Sequence, residues 1–392
     1  MGKWQRLYTA HSKLRIHLRS TMTTATNRTF ADASQSTSRV LSDEVALRVE
    51  DLHVYYETEA GEVKAVNGVS FDLRAGERLA LVGESGSGKS TMATALMRMT
   101  RPPGKIVSGS ITLSGRDLLQ LDEYEMRRAR LAEIALVPQG AMNSLNPVIR
   151  IEKQIIDGIL DHIVEDSVRN SVGSGRSEVM EANAEGALLR KPTRSELRDK
   201  VADLLTNVGL APSVATMYPH ELSGGMKQRA VLAIATCLSP KVILADEPTS
   251  ALDVVVQRQI MQTLGKLQSG IDAAVILVGH DMGLVAQFAD TIGVMYAGRL
   301  VELGPVEEIF EDPQHPYTKL LIESLPSFSE KKEFVGIPGM PPRLLNLPSG
   351  CAFYPRCPSA MDVCLDTDPL DIAIQANWRV ACHLHNETGS DG

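Results

Sequence analysis

"GESGSGKS", Gly83 to Ser90, decides how this chain is read. It fits G-x-x-x-x-G-K-[ST] and sits between the apolar run "RLALVG" and the helix-like "TMATALMRM". A strand that runs through a glycine-rich turn into a helix points backbone N–H groups into a concave loop, which is what binding a phosphate requires. Gly83, Gly86 and Gly88 let the backbone close without a Cβ in the way. Ser85, Ser87 and Thr91 belong to the same candidate cradle. Lys89 is expected to neutralise β/γ-phosphate oxygens, and Ser90 to ligate Mg²⁺.

The complementary half is "KVILADEP", Lys241 to Pro248. Its apolar residues read as a buried strand that delivers Asp246 at the C-terminal end, where α/β sheets place their ligands. Asp246 suits the role of holding Mg²⁺ through water, and Glu247 that of general base on the attacking water.

Further out, "VALRVEDLHVYYE" and "AVNGVSFDL" alternate like strands, and strands and helical segments then alternate to about residue 310. The fold class expected is α/β. Residues 1–44 are Ser/Thr-rich, with seven Lys/Arg and three Asp/Glu, and read as a disordered tail. A weakly periodic stretch at about 164–194 reads as a surface insertion. Residues 311–392 form a Pro-rich extension. A net charge of −8 gives no reason to expect nucleic-acid binding. The longest apolar run, "AAVILV" (Ala273–Val278), is far short of the ~20 residues that span a bilayer. No secretory signal is visible at the start, so a reducing compartment is expected.

"LSGGMKQR", Leu222 to Arg229, resembles the signature motif of ABC-transporter ATPases, and the other family motifs occur in the family's order. Gln139 in "LVPQG" resembles the Q-loop glutamine, "SALD" (Ser250–Asp253) the D-loop, and His280 in "ILVGHD" the switch histidine. The resemblance covers roughly 45–310. It implies a P-loop ABC nucleotide-binding domain with a RecA-like core, an antiparallel β subdomain and a helical subdomain at about 142–240. It also implies an ATPase in which Glu247, His280, Lys89 and Gln139 are catalytic and Gln139 joins Ser90 and Asp246 around Mg²⁺. Ser223, Gly224 and Gly225 would complete the ATP site of a partner subunit. For adenine stacking, Tyr56 is preferred to Tyr55 because it lies in phase with Leu52 and Val54. Two core or surface tyrosines remain the alternative.

"EDPQHPYTKLLIESLP" (Glu311–Pro326) and "PGMPPRLLNLPSGCAFYPRC" after it resemble the C-terminal extension of oligopeptide/dipeptide importer ATPases. "NSLNP" (Asn143–Pro147) and Met226 resemble the D-type subunit of that group. In contrast, Gly140-Ala141 stands where many such subunits have an acidic residue and a Pro. The resemblance implies a peripheral subunit on the cytoplasmic face of the plasma (inner) membrane. Its partners would be two transmembrane permeases, a second ABC ATPase (F-type or a second copy) and, through the complex, an extracytoplasmic binding protein. Peptide is the expected cargo, with nickel or oligosaccharide as alternatives. A soluble ABC ATPase is the competing class.

Four of the five cysteines lie in the extension, as C-x5-C-x6-C-x17-C: Cys351, Cys357, Cys364 and Cys382. Zinc would favour tight C-x2-4-C pairs, disulfides an oxidising compartment, and a [4Fe–4S] cluster four shielded thiolates. Reduced, packed thiols are the plain alternative. The importer resemblance implies a cluster in some members, so a [4Fe–4S] site on these four residues is expected. His383 and His385, next to Cys382, are expected at the surface, with substitute ligation as the alternative, and Cys237 is expected in the core.

Overall fold

The computed structural model describes residues 42–140, 143–172, 192–325 and 336–385. Residues 1–41 of the tail expected at 1–44, and most of the expected insertion at 164–194, lie outside them.

Two strands, β1 (Val45–Thr58) and β2 (Gly61–Arg74), form a long antiparallel hairpin, and β3 (Arg78–Val82) leads into the glycine-rich turn and α1 (Lys89–Leu96). Next come β4 (Gly104–Leu113), β5 (Arg116–Asp117), α2 (Glu123–Ala132) and β6 (Ile134–Val137). Helices α3 (Ile151–Val172), α4 (Arg194–Asn207) and α5 (Gly224–Ala235) follow. The chain then alternates through β7 (Val242–Asp246), α6 (Val254–Ile271), β8 (Ala274–Val278), α7 (Met282–Phe288), β9 (Thr291–Tyr296) and β10 (Arg299–Pro305). It closes with α8 (Val306–Glu311), α9 (Pro316–Glu323), α10 (Val363–Asp366), β11 (Asp371–Gln375) and β12 (Trp378–Ala381).

The strands make two sheets, ordered β2-β1-β4-β5 and β11-β12-β10-β9-β3-β8-β7-β6. In the larger one β3 lies parallel to both β8 and β9, and β8, β7 and β6 continue in parallel. These strands read as unbroken apolar runs because both faces are covered: every residue of β7 and β8 is buried. Alternate residues serve opposite cores. Ala80, Ile243 and Val275 face one cluster with Ile155 and Ile159 of α3, and Leu81, Leu244 and Ile276 face another with Met92 and Leu96 of α1. Each such Leu, Val or Ile contributes about 1.5–3 kcal/mol when fully buried.

Local signals fix where the helices begin. The Thr193 hydroxyl accepts from Glu196 N–H, and the Glu196 carboxylate accepts from Thr193 N–H at 2.8 Å, a reciprocal cap on α4. Leu197, Val201 and Leu205 then recur on one buried face. At α6, Asp253 of "SALD" accepts from Val255 and Val256 N–H at 3.1 and 3.0 Å, so the motif's acid serves as a helix cap.

The chain beyond residue 311 does not form a detached lobe. β12 pairs with β10, so the β11–β12 hairpin ends the main sheet. Glu302 of β10, 1% exposed, accepts from the N–H groups of Gln314 and His315 and from Trp378 Nε1 at 2.8–3.0 Å, welding β10, α9 and β12 together.

Candidate nucleotide site

Strands β3, β6, β7 and β8 run in parallel and end on one edge of the sheet, and the chain delivers the candidate groups there. β3 feeds the glycine-rich turn. A Cβ on Gly83 would lie 2.2 Å from Met295 O, and one on Gly88, at φ +102°, 2.1 Å from Ala65 O. Both sites exclude any side chain, because the turn is wedged between β9 and β2. The first turn of α1 then leaves the amides of Lys89, Ser90 and Thr91 without helical partners. Ser87 is buried and Ser85 exposed on the same turn.

Lys89 is 7% exposed, and its Nζ donates to Gly83 O and Glu84 O, both at 2.8 Å, and to Ser87 Oγ at 3.2 Å. Burial lowers its pKa, while Glu247, Asp246 and Glu84 favour the charged form. Ser90 Oγ donates to Asp246 Oδ1 at 3.1 Å, joining the two halves of the motif pair across 156 residues. Burial raises the Asp246 pKa and the Glu247 charge adds to this, whereas the Ser90 hydrogen bond and Lys89 oppose it.

Glu247 sits one residue past β7 with φ +44°, a left-handed backbone held by its N–H donating to Val278 O at 2.9 Å. Its carboxylate gathers two neighbours. Gln139 Nε2 donates to Oε2 at 2.9 Å, and His280 Nδ1 lies 3.3 Å from Oε1. Three residues from three strand ends thus meet at one carboxylate, beside the Ser90–Asp246 pair.

The remaining candidates lie apart from that centre. Ser223 caps α5, its Oγ accepting from Met226 N–H at 3.3 Å, and it is exposed. Gly224 and Gly225 open the same helix, and a Cβ on Gly225 would meet Val256 Cγ1 at 2.9 Å. Tyr56 is half-buried, with its ring against Gly104 and opposite Val63 of β2. Tyr55 donates instead to Asn67 Oδ1 at 2.9 Å and approaches His53 Nδ1 at 3.0 Å, a polar cluster of its own.

The expected cluster of four cysteines is overturned. Among the described residues no group of three or more His, Cys, Asp or Glu is arranged to hold a metal ion, and nothing supports the expected [4Fe–4S] site. All four thiols are free. Cys364 and Cys382 are buried, and Cys351 and Cys357 pack against the main core. Burial raises the pKa of Cys351 and Cys357 and pushes Cys382 up to about 11, and the neighbouring cysteines add to each shift. His383, expected at the surface, is buried and bonded to Thr367 O at 2.8 Å. Cys237 is buried in the core.

The sequence reading missed three residues. Tyr317 OH accepts from Glu84 N–H at 2.9 Å, and Arg356 makes a two-pronged ion pair with the Glu84 carboxylate at 2.6 and 2.9 Å. Glu84 stands in a variable position of the phosphate motif, and nothing local in "FYPRC" shows that Arg356 returns to it.

A family model described as ABC transporter matches residues 66–250, and one described as oligopeptide/dipeptide transporter, C-terminal region, matches 301–364. A dipeptide transport ATP-binding protein from Caldanaerobacter subterraneus subsp. tengcongensis is 41% identical over 88% of this chain and 98% of its own. The chain belongs to the ABC-transporter family, in its oligopeptide/dipeptide transport group. An oligopeptide transport ATP-binding protein from Salmonella typhimurium is 42% identical over 83% of this chain and 90% of its own. The ABC-family fold is matched by a bacterial ABC transporter cassette solved as a dimer, with 25% identity, a TM-score of 0.53, and coverage of 66% of this chain and 98% of that one. As an ABC ATPase the chain binds and hydrolyses ATP. Among the described residues no helix is long and apolar enough to cross a membrane.

Proposed function

We propose that this ABC ATPase powers a binding-protein-dependent importer, coupling ATP binding and hydrolysis to uptake of oligopeptides or dipeptides through separate permeases. The observation that carries the reading is Glu247, bonded to Gln139 and near His280, beside a P-loop lysine, in a chain matched along nearly its whole length by peptide-transport relatives. The peptide-transport assignments of these relatives favour peptide over nickel or oligosaccharide.

Residues 45–310 act as the ATPase domain, with the helical subdomain at about 142–240 and 311–392 as the extension. The turn from Gly83 to Thr91 (Ser85, Gly86, Ser87 and Gly88 included) wraps the phosphates, and Tyr56 stacks on adenine. Lys89 exchanges the Gly83 and Glu84 carbonyls for β/γ-phosphate oxygens, since both offer an ammonium the same kind of acceptor. The oxygen donors Ser90, Asp246 and Gln139 suit Mg²⁺, a hard cation, and Ser90 and Asp246 already lie within 3.1 Å. That ion, when bound, offsets phosphate charge. Glu247 takes the proton of the attacking water, His280 orients Glu247 and contacts the γ-phosphate, and Gln139 reports occupancy to the permease.

Ser223, Gly224 and Gly225 complete the site of the opposing ATPase, an F-type partner or a second copy. The exposure of Ser223 at an open helix start supports this. The chain works peripherally on the cytoplasmic face of the inner membrane. Solubilised membranes should release the chain together with two permeases, and peptide-loaded binding protein should raise ATP turnover. Recovery without any permease would refute the importer reading.

A further inference from the structure

Glu84 is an acid inside the phosphate-binding turn, and the chain beyond residue 311 holds it on two sides. Tyr317 OH takes its N–H, and Arg356 takes both carboxylate oxygens, at 2.6 and 2.9 Å. The third attachment is internal: Glu84 O accepts from Lys89 Nζ at 2.8 Å. Arg356 is itself fixed. Its Nε donates to Pro338 O at 2.8 Å and Nη1 to Tyr296 OH at 3.2 Å, and the guanidinium lies 5.8 and 6.0 Å from the Tyr296 and Phe353 ring centres. Tyr296, Tyr317 and Phe353 pack with centroids 4.6–5.4 Å apart, tying the end of β9 to the extension.

We propose that Arg356 is a positioning and charge-neutralising residue of the ATP site: by pairing Glu84 it turns the carboxylate away and cancels an anion that would repel the triphosphate. The proposal rests on nucleotide binding at the Gly83–Ser90 turn. The physical reason is placement. A carboxylate one residue from Gly83, on the residue whose carbonyl holds the phosphate lysine, lies within range to oppose any polyanion the turn receives. A planar, permanently charged guanidinium on two oxygens both removes that charge and fixes its direction. ATP affinity is thereby made to depend on a segment 272 residues away in sequence, so any displacement of the extension weakens nucleotide binding.

The test uses the sign of the effect. Removing either partner breaks the same ion pair, but Arg356→Met leaves an anion beside the phosphates and Glu84→Gln leaves a cation. Calorimetric titration of the full chain with Mg-ATP should give about tenfold weaker binding for Arg356→Met, equivalent to about 1.4 kcal/mol. It should give roughly threefold tighter binding for Glu84→Gln, with the double variant between the two. Equal weakening in both single variants, or no change in Arg356→Met, would overturn the proposal by reducing the pair to packing. Should Arg356→Met fail to melt cooperatively, Glu84→Gln decides alone: tighter binding supports the proposal, and equal or weaker binding overturns it. A native chain that took up no ATP would overturn the site reading itself, and this proposal with it.

Discussion

Replacing Gly88 by Ala measures how tightly the phosphate turn is built. Two costs arise together. The backbone at φ +102° is left-handed, which costs an L side chain roughly 1–2 kcal/mol. The new Cβ would also stand 2.1 Å from Ala65 O, a backbone atom of β2 whose strand is paired along its length to β1. Relieving that contact needs a shift close to 1 Å in packed backbone, an overpacking cost of about 1–3 kcal/mol. The sum is about 2–5 kcal/mol, or a fall of roughly 2–6 °C in melting midpoint for a chain of this length. Gly86 is the internal control. It also has positive φ, at +80°, but a Cβ there meets nothing within 4 Å. Gly86→Ala should therefore lose only the backbone term, a fall of about 1–2 °C. The assay is thermal melting of both full-length variants without nucleotide. Equal shifts would refute the argument, because only Gly88 meets a steric wall.

Glu247→Gln should retain ATP binding and lose at least about 100-fold in hydrolysis, read from single-turnover product formation; near-native turnover would remove Glu247 as the base. Glu302→Ala leaves three buried N–H donors without an acceptor and should cost about 3–5 kcal/mol in urea denaturation. A loss under about 1 kcal/mol would show that water replaces the carboxylate. His315 is fully buried, its Nδ1 accepts from Tyr317 N–H, and burial pushes its pKa down to about 3 from 6.5. Between those values the unfolded chain binds the extra proton, so this contribution is intact above pH 6.5 and is lost as pH falls towards 3. His315→Asn keeps a capping acceptor and should flatten the decline in melting temperature from pH 7 to 5; an unchanged slope would assign the acid lability elsewhere.

Much of the site was legible because its chemistry is local. A turn that must admit backbone N–H groups to phosphate needs glycine at fixed offsets, and Gly83 and Gly88 stand where a side chain cannot. A strand buried on both faces must be apolar and must end in the functional acid, which is how "VILAD" announces Asp246. The helix starts at Thr193–Glu196 and Asp253 are set by contacts just as short, although the sequence reading did not single them out.

The cysteines mark where that legibility stops. Spacing reports how many ligands a segment could offer, but only packing decides whether the side chains converge as thiolates. Here the four are free cysteines, and no metal-holding group forms among the described residues. The same limit hid Arg356 from view, since an ion pair between residues 84 and 356 leaves no periodicity or motif in either segment. The sequence by itself determined the phosphate turn, the buried strands and the acids at their ends, because each is set by contacts a few residues long. Only the tertiary structure decided that β12 completes the main sheet and that the extension grips the phosphate turn. Those contacts depend on where distant segments pack, and their free energy comes from burial shared among residues with no local pattern in common.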